Sequence, residues 1–377
     1  MRPRLKQFTV ARSGPIVHLA REPGRAFEFE DSSGVIEAAL ALMDGSRDVS
    51  AIAARLAADW PAVTEGDVGE LLAALDADGL IADGAAPPLL DPAQRHRYES
   101  NLAFFETFAD LGTSGDEFQE RLRRAHVLQL GVGGLGSAVL PGLAGAGVGQ
   151  ITLLDCDRVE VKNLTRQSLY TEADVGQPKI ERAAARARAI NSSVRISTVE
   201  RRVGGPEDVA DLLDGVDLVV CGIDRPRQVA FWVNDACVRA GVPMIAGGMW
   251  VTRLICWSVW PGVSGCVRCY EPDGEERAAA GRVAPTTNRA LGAMASLAGG
   301  LVGMEALRYL TGFAPPVSAG RLWTLDLITG ACGVEDEWSP LPGCPVCAAG
   351  KYAGGGARAA DRPQLPAAAA VAAAAQR

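Results

Sequence analysis

The stretch VLQLGVGGLG, residues 127 to 136, limits what this chain can fold into more than any other. Val127 to Leu130 reads as a buried strand that runs straight into Gly131-x-Gly133-Gly134-x-Gly136. An Ala/Leu/Gly-rich helix follows, and a second strand, Ile151 to Leu154, closes on Asp155. Strand, glycine turn, helix and strand stand in the order of a dinucleotide-binding unit. Glycines let the backbone turn sharply and come close to a nucleotide, while the helix N-terminus offers free N–H groups to anionic phosphate. An acid closing the second strand can accept hydrogen bonds from ribose hydroxyls. Tight packing of helix on strand also selects glycine, so the glycine pattern alone leaves both uses open.

The residues after Asp155 narrow the chemistry. Asp157 sits two positions on, Asn163, Arg166 and Gln167 fall in a polar NLTRQ segment, and Lys179 follows a Gly-Gln-Pro turn. Hydride transfer has no need of a fixed Asn, Arg and Lys there, whereas handling a triphosphate needs cations against charge developing on phosphate. The strings GxGGLG, DxDxVxxxNLxRQ and GxxK resemble the ThiF-type adenylyltransferases, relatives of the ubiquitin-activating enzymes. The resemblance implies an α/β fold, a Rossmann-like adenylation domain that uses ATP with Mg²⁺. It also implies a nucleotide site built from Gly131, Gly133, Gly134, Gly136, Asp155, Asp157, Asn163, Arg166, Gln167 and Lys179, with Arg166 and Lys179 offsetting phosphate charge. Farther on, the apolar strand Leu218 to Cys221 ends in Gly222-Ile223-Asp224. The resemblance makes Asp224 a Mg²⁺ ligand, and Mg²⁺ prefers oxygen ligands. Strand carboxyl ends are also where parallel α/β sheets place ligands. Because a helical stretch begins at Gln228, a helix N-cap is the alternative reading of Asp224.

Residues 1 to 85 read as a separate small domain. Ile16 to Ala20 and Ala26 to Glu30 alternate around Pro23-Gly24 as a hairpin. Three helical stretches follow: Val35 to Met43, one starting near Asp48 or Ser50 with Ile52 and Leu56, and one capped by Thr64 with Val68, Leu71, Leu72 and Leu75 on one face. The strings LMDGSRDVSAIAARLA and VGELLAALDADGLI resemble the PqqD-like, winged-helix-like domains that recognise leader peptides. That resemblance implies a precursor peptide bound as an added strand, with main-chain bonds giving affinity and pockets giving selectivity. A helical cap or dimerisation domain is the alternative. Acids at Glu65, Asp67, Glu70, Asp76 and Asp78 would repel nucleic-acid phosphate. The net charge of −8 and the lack of a long basic run argue the same way.

Ala85-Ala86-Pro87-Pro88 reads as a linker into a second domain, residues 86 to 352, and the Ala/Gly/Pro-rich tail, 353 to 377, reads as disordered. After the linker the resembled family carries RYxRQ or RYxRN, whose arginine reaches the nucleotide of a partner subunit in a homodimer. This chain has Arg97-Tyr98 but Ser100 at the second arginine position, so that either Arg95 or Arg97 substitutes or the contact across the dimer is absent. Leu102, Phe104 and Phe105 also read as a docking helix.

Nine cysteines without a signal-peptide core favour reduced thiols or metal over disulfides, and hence the cytoplasm. Cys266-x-x-Cys269 and Cys344-x-x-Cys347 can meet as a tetrahedral thiolate site of the kind that holds structural Zn²⁺. The apolar run Ala290 to Met304 is too short to span a membrane and reads as a buried helix. Tyr270 to Ala293 reads as a polar loop over the site, and Trp323 to Leu327 as a last strand. Thioester-forming relatives carry a cysteine in that loop, and here none lies between Cys269 and Cys332. Without a thiolate no covalent thioester can form at that place. Recognition domain, adenylation domain, zinc clasp and missing thiol together resemble the microcin C maturation type. That implies adenylylation of the C-terminal carboxylate of a ribosomally made precursor peptide. The alternatives are a sulfur-carrier activating enzyme and a non-catalytic scaffold that presents a peptide to a partner modifying enzyme.

Overall fold

In the computed structural model, which describes residues 1–22, 25–280 and 289–348, the chain divides into Met1–Glu120 and the residues from Arg121 onward. In the first unit, β1 (Pro3–Leu5) pairs antiparallel with β5 (Ile81–Asp83). Strands β2 (Thr9–Ser13), β3 (Ile16–Glu22) and β4 (Arg25–Glu30) form an antiparallel sheet in that order. Its alternation sends Val17 and Leu19 into a core with Leu40, Ile52, Leu56, Leu72 and Leu75. These come from α1 (Val35–Leu42), α2 (Val49–Ala57) and α3 (Glu65–Ala77).

Thr64 caps α3 as read, and of the two possible starts of α2 it is Asp48, not Ser50, that caps the helix. Asp48 accepts from Ala51 N at 2.9 Å. Thr64 and Asp67 cap one another, Thr64 N donating to Asp67 Oδ2 at 2.8 Å. Such caps satisfy N–H groups that the first turn of a helix leaves unpaired. Helices α4 (Pro92–Arg97) and α5 (Glu99–Glu106) follow the linker. Buried Lys6 donates through Nζ to the carbonyls of Gly79, Thr107 and Ala109, and Leu111 N donates to Asp76 at 2.9 Å. By these contacts, residues beyond the linker group with the first unit.

Helix α6 (Gly115–Arg124) spans the division. The second unit then alternates: β6 (His126–Leu130), α7 (Gly136–Ala146), β7 (Gln150–Asp155), α8 (Lys179–Ile190), β8 (Arg195–Glu200), α9 (Glu207–Ala210), β9 (Leu218–Cys221), α10 (Val229–Ala240) and β10 (Met244–Trp250). It continues with β11 (Arg253–Val259), α11 (Val267–Tyr270), α12 (Gly274–Ala280), α13 (Gly292–Thr311), β12 (Arg321–Asp326) and β13 (Cys332–Glu337). One eight-stranded sheet results, in the order β13-β12-β11-β10-β9-β6-β7-β8. Strands β8, β7, β6, β9 and β10 run parallel, and β11 to β13 extend the edge antiparallel. The chain leaves β6 towards β7 on one side and returns to β9 on the other. The strand order therefore reverses between β6 and β9, where open α/β sheets form a ligand crevice.

Three readings of the sequence need correction. The strand at 321–326 is not the last; β13 follows it as an exposed edge strand, with little apolar alternation to announce it. The segment after Tyr270 is not all loop, since Gly274–Ala280 is α12. Helix α13 buries Ala295, Ala298, Val302 and Ala306 but exposes Leu297 and Met304, so only one side is core. The Pro23-Gly24 turn, the centre of the expected crossover loop and the tail from 353 lie outside the described residues. No helix among the described residues is long and apolar enough to cross a membrane.

Candidate active site and cysteine cluster

The glycine turn lies at the reversal point. Gly131 has φ +87°, a left-handed conformation that favours glycine, and its N–H donates to Leu154 O at 2.7 Å. A Cβ on Gly131 would meet Gly222 C at 3.1 Å, so the ends of β6 and β9 pack backbone to backbone. A Cβ on Gly136 would stand 2.0 Å from Gly131 O. That glycine lets α7 start against the turn. By contrast, a Cβ on Gly133 would reach Gln167 Nε2 only at 3.8 Å, and one on Gly134 would meet nothing within 4 Å. One motif therefore holds two packing glycines and two that face open space.

Asp155 is buried and receives Val132 N at Oδ2 and Asp157 N at Oδ1, each at 2.8 Å. A carboxylate has about four acceptor positions, so both oxygens retain capacity for hydroxyl donors. Asp157 Oδ2 accepts from Lys179 Nζ at 3.0 Å, and the lysine side chain is 6% exposed. The first turn of α8 thus delivers one buried cation beside Asp157. Asn163 Oδ1 accepts from Glu160 N at 3.0 Å and holds the NLTRQ turn. Arg166 Nη1 donates to Lys162 O at 3.0 Å, while its buried Nε has no partner among the described residues. Buried Gln167 Oε1 is likewise unpaired among them. Unpaired buried polar atoms are uncommon and call for a ligand, water or another explanation. Here two cluster on the segment that follows Asp155, in keeping with a polar ligand at this place. Asp224 is exposed just past β9, and the N-cap of α10 is Gln228, so the alternative helix-cap role is not the one Asp224 plays.

Two residues at this site escape sequence reasoning. Tyr170 donates its buried hydroxyl to Val132 O at 2.7 Å, and burial, then Asp155, Asp157 and Asp174, push its ionisation up. Gln129 lies wholly buried under the turn and donates to Gly131 O at 3.3 Å and Gly136 O at 3.0 Å. A lone polar residue in an apolar strand was the available signal for Gln129. Of the two candidate substitute arginines, Arg95 is engaged by both oxygens of Asp116, at 2.5 and 2.6 Å.

The four cysteines do converge. Sγ–Sγ distances are 3.8 Å for Cys266–Cys269, 3.7 Å for Cys266–Cys344 and 3.3 Å for Cys269–Cys347, and all four lie within 4.8 Å of one another. A tetrahedral site with Zn–S near 2.3 Å sets its sulfurs about 3.8 Å apart, so the donor set fits that ion. Leu341 N points at Cys269 Sγ at 3.3 Å. Burial pushes the Cys344 thiol up, but hydrogen bonds from Cys347 and Val346 N–H and from the neighbouring thiols outweigh it and bring it to about 7. Arg268, between the first two cysteines, forks onto Asp235 of α10 at 2.8 Å and reaches Glu275 of α12 at 2.6 Å.

Comparison with known proteins places this geometry. The family model of the ThiF family matches residues 104–346. The sulfur carrier protein adenylyltransferase of Thermus thermophilus is 36% identical over 62% of this chain and 86% of its own length. The molybdopterin-synthase adenylyltransferase of Salmonella typhimurium is 36% identical over 61% of this chain and 90% of its own. The crystal structure of E. coli MccB with ATP superposes with a TM-score of 0.73 at 24% identity, covering 92% of this chain and 100% of that one. This chain belongs to the ThiF family and is an ATP-dependent adenylyltransferase.

Proposed function

We propose that this enzyme adenylylates the C-terminal carboxylate of a ribosomally made precursor peptide. The observation that carries the reading is the reach of the structural likeness. The ThiF match begins at residue 104, whereas MccB covers 92% of this chain and so extends into the N-terminal unit. Solved structures of MccB, a microcin C7 biosynthetic enzyme, contain MccA. Residues 1 to about 85 then act as a PqqD-like recognition domain, and the open edge of its β2-β3-β4 sheet suits strand addition. Residues 86 to 352 supply the adenylation chemistry.

The residues divide the work as follows. Gly133 and Gly134 let the nucleotide approach, and Asp155 receives ribose hydroxyls. Arg166, Lys179, Asn163 and Gln167 surround the phosphates, with Asp157 steadying Lys179. Asp224 holds Mg²⁺, which neutralises phosphate charge when bound. A peptide carboxylate oxygen attacks the α-phosphorus. The new O–P bond forms as the bond to pyrophosphate breaks, which leaves an acyl-adenylate and free pyrophosphate. Holding the carboxylate in line is the main contribution of the site. The cysteine cluster binds Zn²⁺ as a structural clasp, and the active form is a homodimer.

The relatives at 36% identity favour a second reading, activation of a sulfur carrier protein. One experiment separates the two. Full-length enzyme is incubated with α-labelled ATP and either a short peptide encoded beside its gene or a carrier protein ending in Gly-Gly. Pyrophosphate and an AMP product with the peptide alone support the proposal. Turnover with the carrier alone moves the enzyme to the second class, and ADP with phosphate overturns both.

A further inference from the structure

We propose that Gln129 is a positioning residue for ATP, acting from beneath the glycine turn. The inference rests on the turn being the nucleotide cradle. Gln129 is 0% exposed in β6, among Val127, Leu128 and Leu130, which are also 0% exposed. Position 129 of a parallel strand suits an apolar residue, because such strands are covered on both faces. A buried Gln there is unfavourable unless its amide is satisfied. Its Nε2 donates to two carbonyls, Gly131 O and Gly136 O, and its Oε1 has no partner among the described residues. The amide is thus retained for those two bonds although half of it is unpaired.

Those carbonyls are the two ends of the cradle. Gly131 O faces inward, so close to Gly136 that a Cβ there would overlap it. Gly131 carries the positive φ that starts the turn, and Gly136 opens α7. One side chain therefore ties the start of the turn to the start of the helix. In between lie the N–H groups that can face phosphate. Without the tie, the Gly131 carbonyl is buried and unpaired. The peptide relieves this by rotating, and the intervening N–H groups lose their common direction. Gln129 never touches the nucleotide in this account.

The test uses Gln129→Met in the full chain, which keeps length and burial but removes the donor. Affinity is measured by calorimetry with the α,β-methylene analogue of ATP plus Mg²⁺, alongside melting temperature and bound-metal content. The expected result is about tenfold weaker binding, 1.4 kcal/mol, at unchanged stoichiometry and unchanged metal content. A structural role alone would lower the melting temperature and the active fraction but leave the dissociation constant where it was. Unchanged affinity overturns the proposal, whatever the melting temperature. If Gln129→Met does not fold, Gln129→Leu removes the donor with a shorter, well-packing side chain. Its affinity is expected to fall at least as far, and wild-type affinity in it overturns the proposal equally. Gly134→Ala separates this inference from the reading beneath it. If that variant also binds normally, the cradle is elsewhere. If it binds weakly while Gln129→Met binds normally, only the role of Gln129 fails.

Discussion

The glycines of residues 131 to 136 should separate stability from nucleotide affinity when each is changed to Ala. At Gly136 the added Cβ would lie 2.0 Å from Gly131 O and 2.9 Å from Gly131 C. Carbon atoms in folded proteins essentially never approach closer than 3.0 Å in this way. Backbone must therefore retreat by about 1 Å, and overpacking on this scale costs about 1–3 kcal/mol. A 1 Å misplacement can also reduce catalysis by about 10²-fold. Gly136→Ala should thus lose both stability and turnover. At Gly134 the Cβ meets nothing within 4 Å and φ is not in the left-handed region, so Gly134→Ala should unfold like wild type. Its methyl instead projects into the space a nucleotide needs, and affinity for the ATP analogue should drop about tenfold or more. Urea unfolding and calorimetry on the same preparations give both numbers. If Gly134→Ala is unstable, or Gly136→Ala is as stable as wild type, the division of roles within the motif is wrong.

Further outcomes follow from other parts of the molecule. Tyr170→Phe should cost about 1–3 kcal/mol in urea unfolding, because it strands the buried Val132 carbonyl; a smaller loss would mean that water replaces the hydroxyl. Metal analysis should find one zinc per chain, and Cys266→Ser or Cys344→Ser should release it and lower the melting temperature. Metal-free protein of unchanged melting temperature would defeat the clasp. Asp224→Ala should abolish pyrophosphate release while leaving unfolding unchanged, and wild-type turnover would remove Asp224 from the metal role. No enzyme–peptide adduct releasable by hydroxylamine should accumulate during turnover, as judged by intact-protein mass spectrometry. Burial pushes the Cys221 thiol up to about 11, the Cys256 thiol up to about 12, and the Cys156 and Cys237 thiols up as well, so few thiolates stand ready at neutral pH.

Local chemistry made much of this legible in the sequence. The cap at Thr64 and the strand–glycine–helix order depend on residues close together in the chain, and each appears as read. The two CxxC pairs lie 78 residues apart, and their thiol chemistry rather than proximity announced that they meet. What hid in the sequence depends on long-range context. Strand β13 is an exposed edge, so nothing forces its residues to alternate. Strand β2, TVARS, is exposed along its length, so no buried face marks it in the sequence either. Helix α13 looks uniformly apolar, and only packing against α7 decides which side is covered; a Cβ on Gly299 would meet the Cβ of Ala138 at 2.4 Å. Tyr170 acts on a backbone carbonyl, which leaves no mark in sequence, and Gln129 shows only as a lone polar residue in an apolar strand.

The cysteine cluster also has a topological meaning. Cys266 and Cys269 precede α12, α13, β12 and β13, and Cys344 and Cys347 follow them. An ion held by all four turns everything between into a closed ring of chain. Fraying from the C-terminal end then stops at the second cysteine pair. A protease that cuts the peptide bond after α12 would leave two fragments that still travel as one particle. Because β12 also pairs with β11, they should part only in denaturant, and at a lower concentration once a chelator has opened the ring, which makes the nicked enzyme a reporter of whether the four sulfurs share an ion.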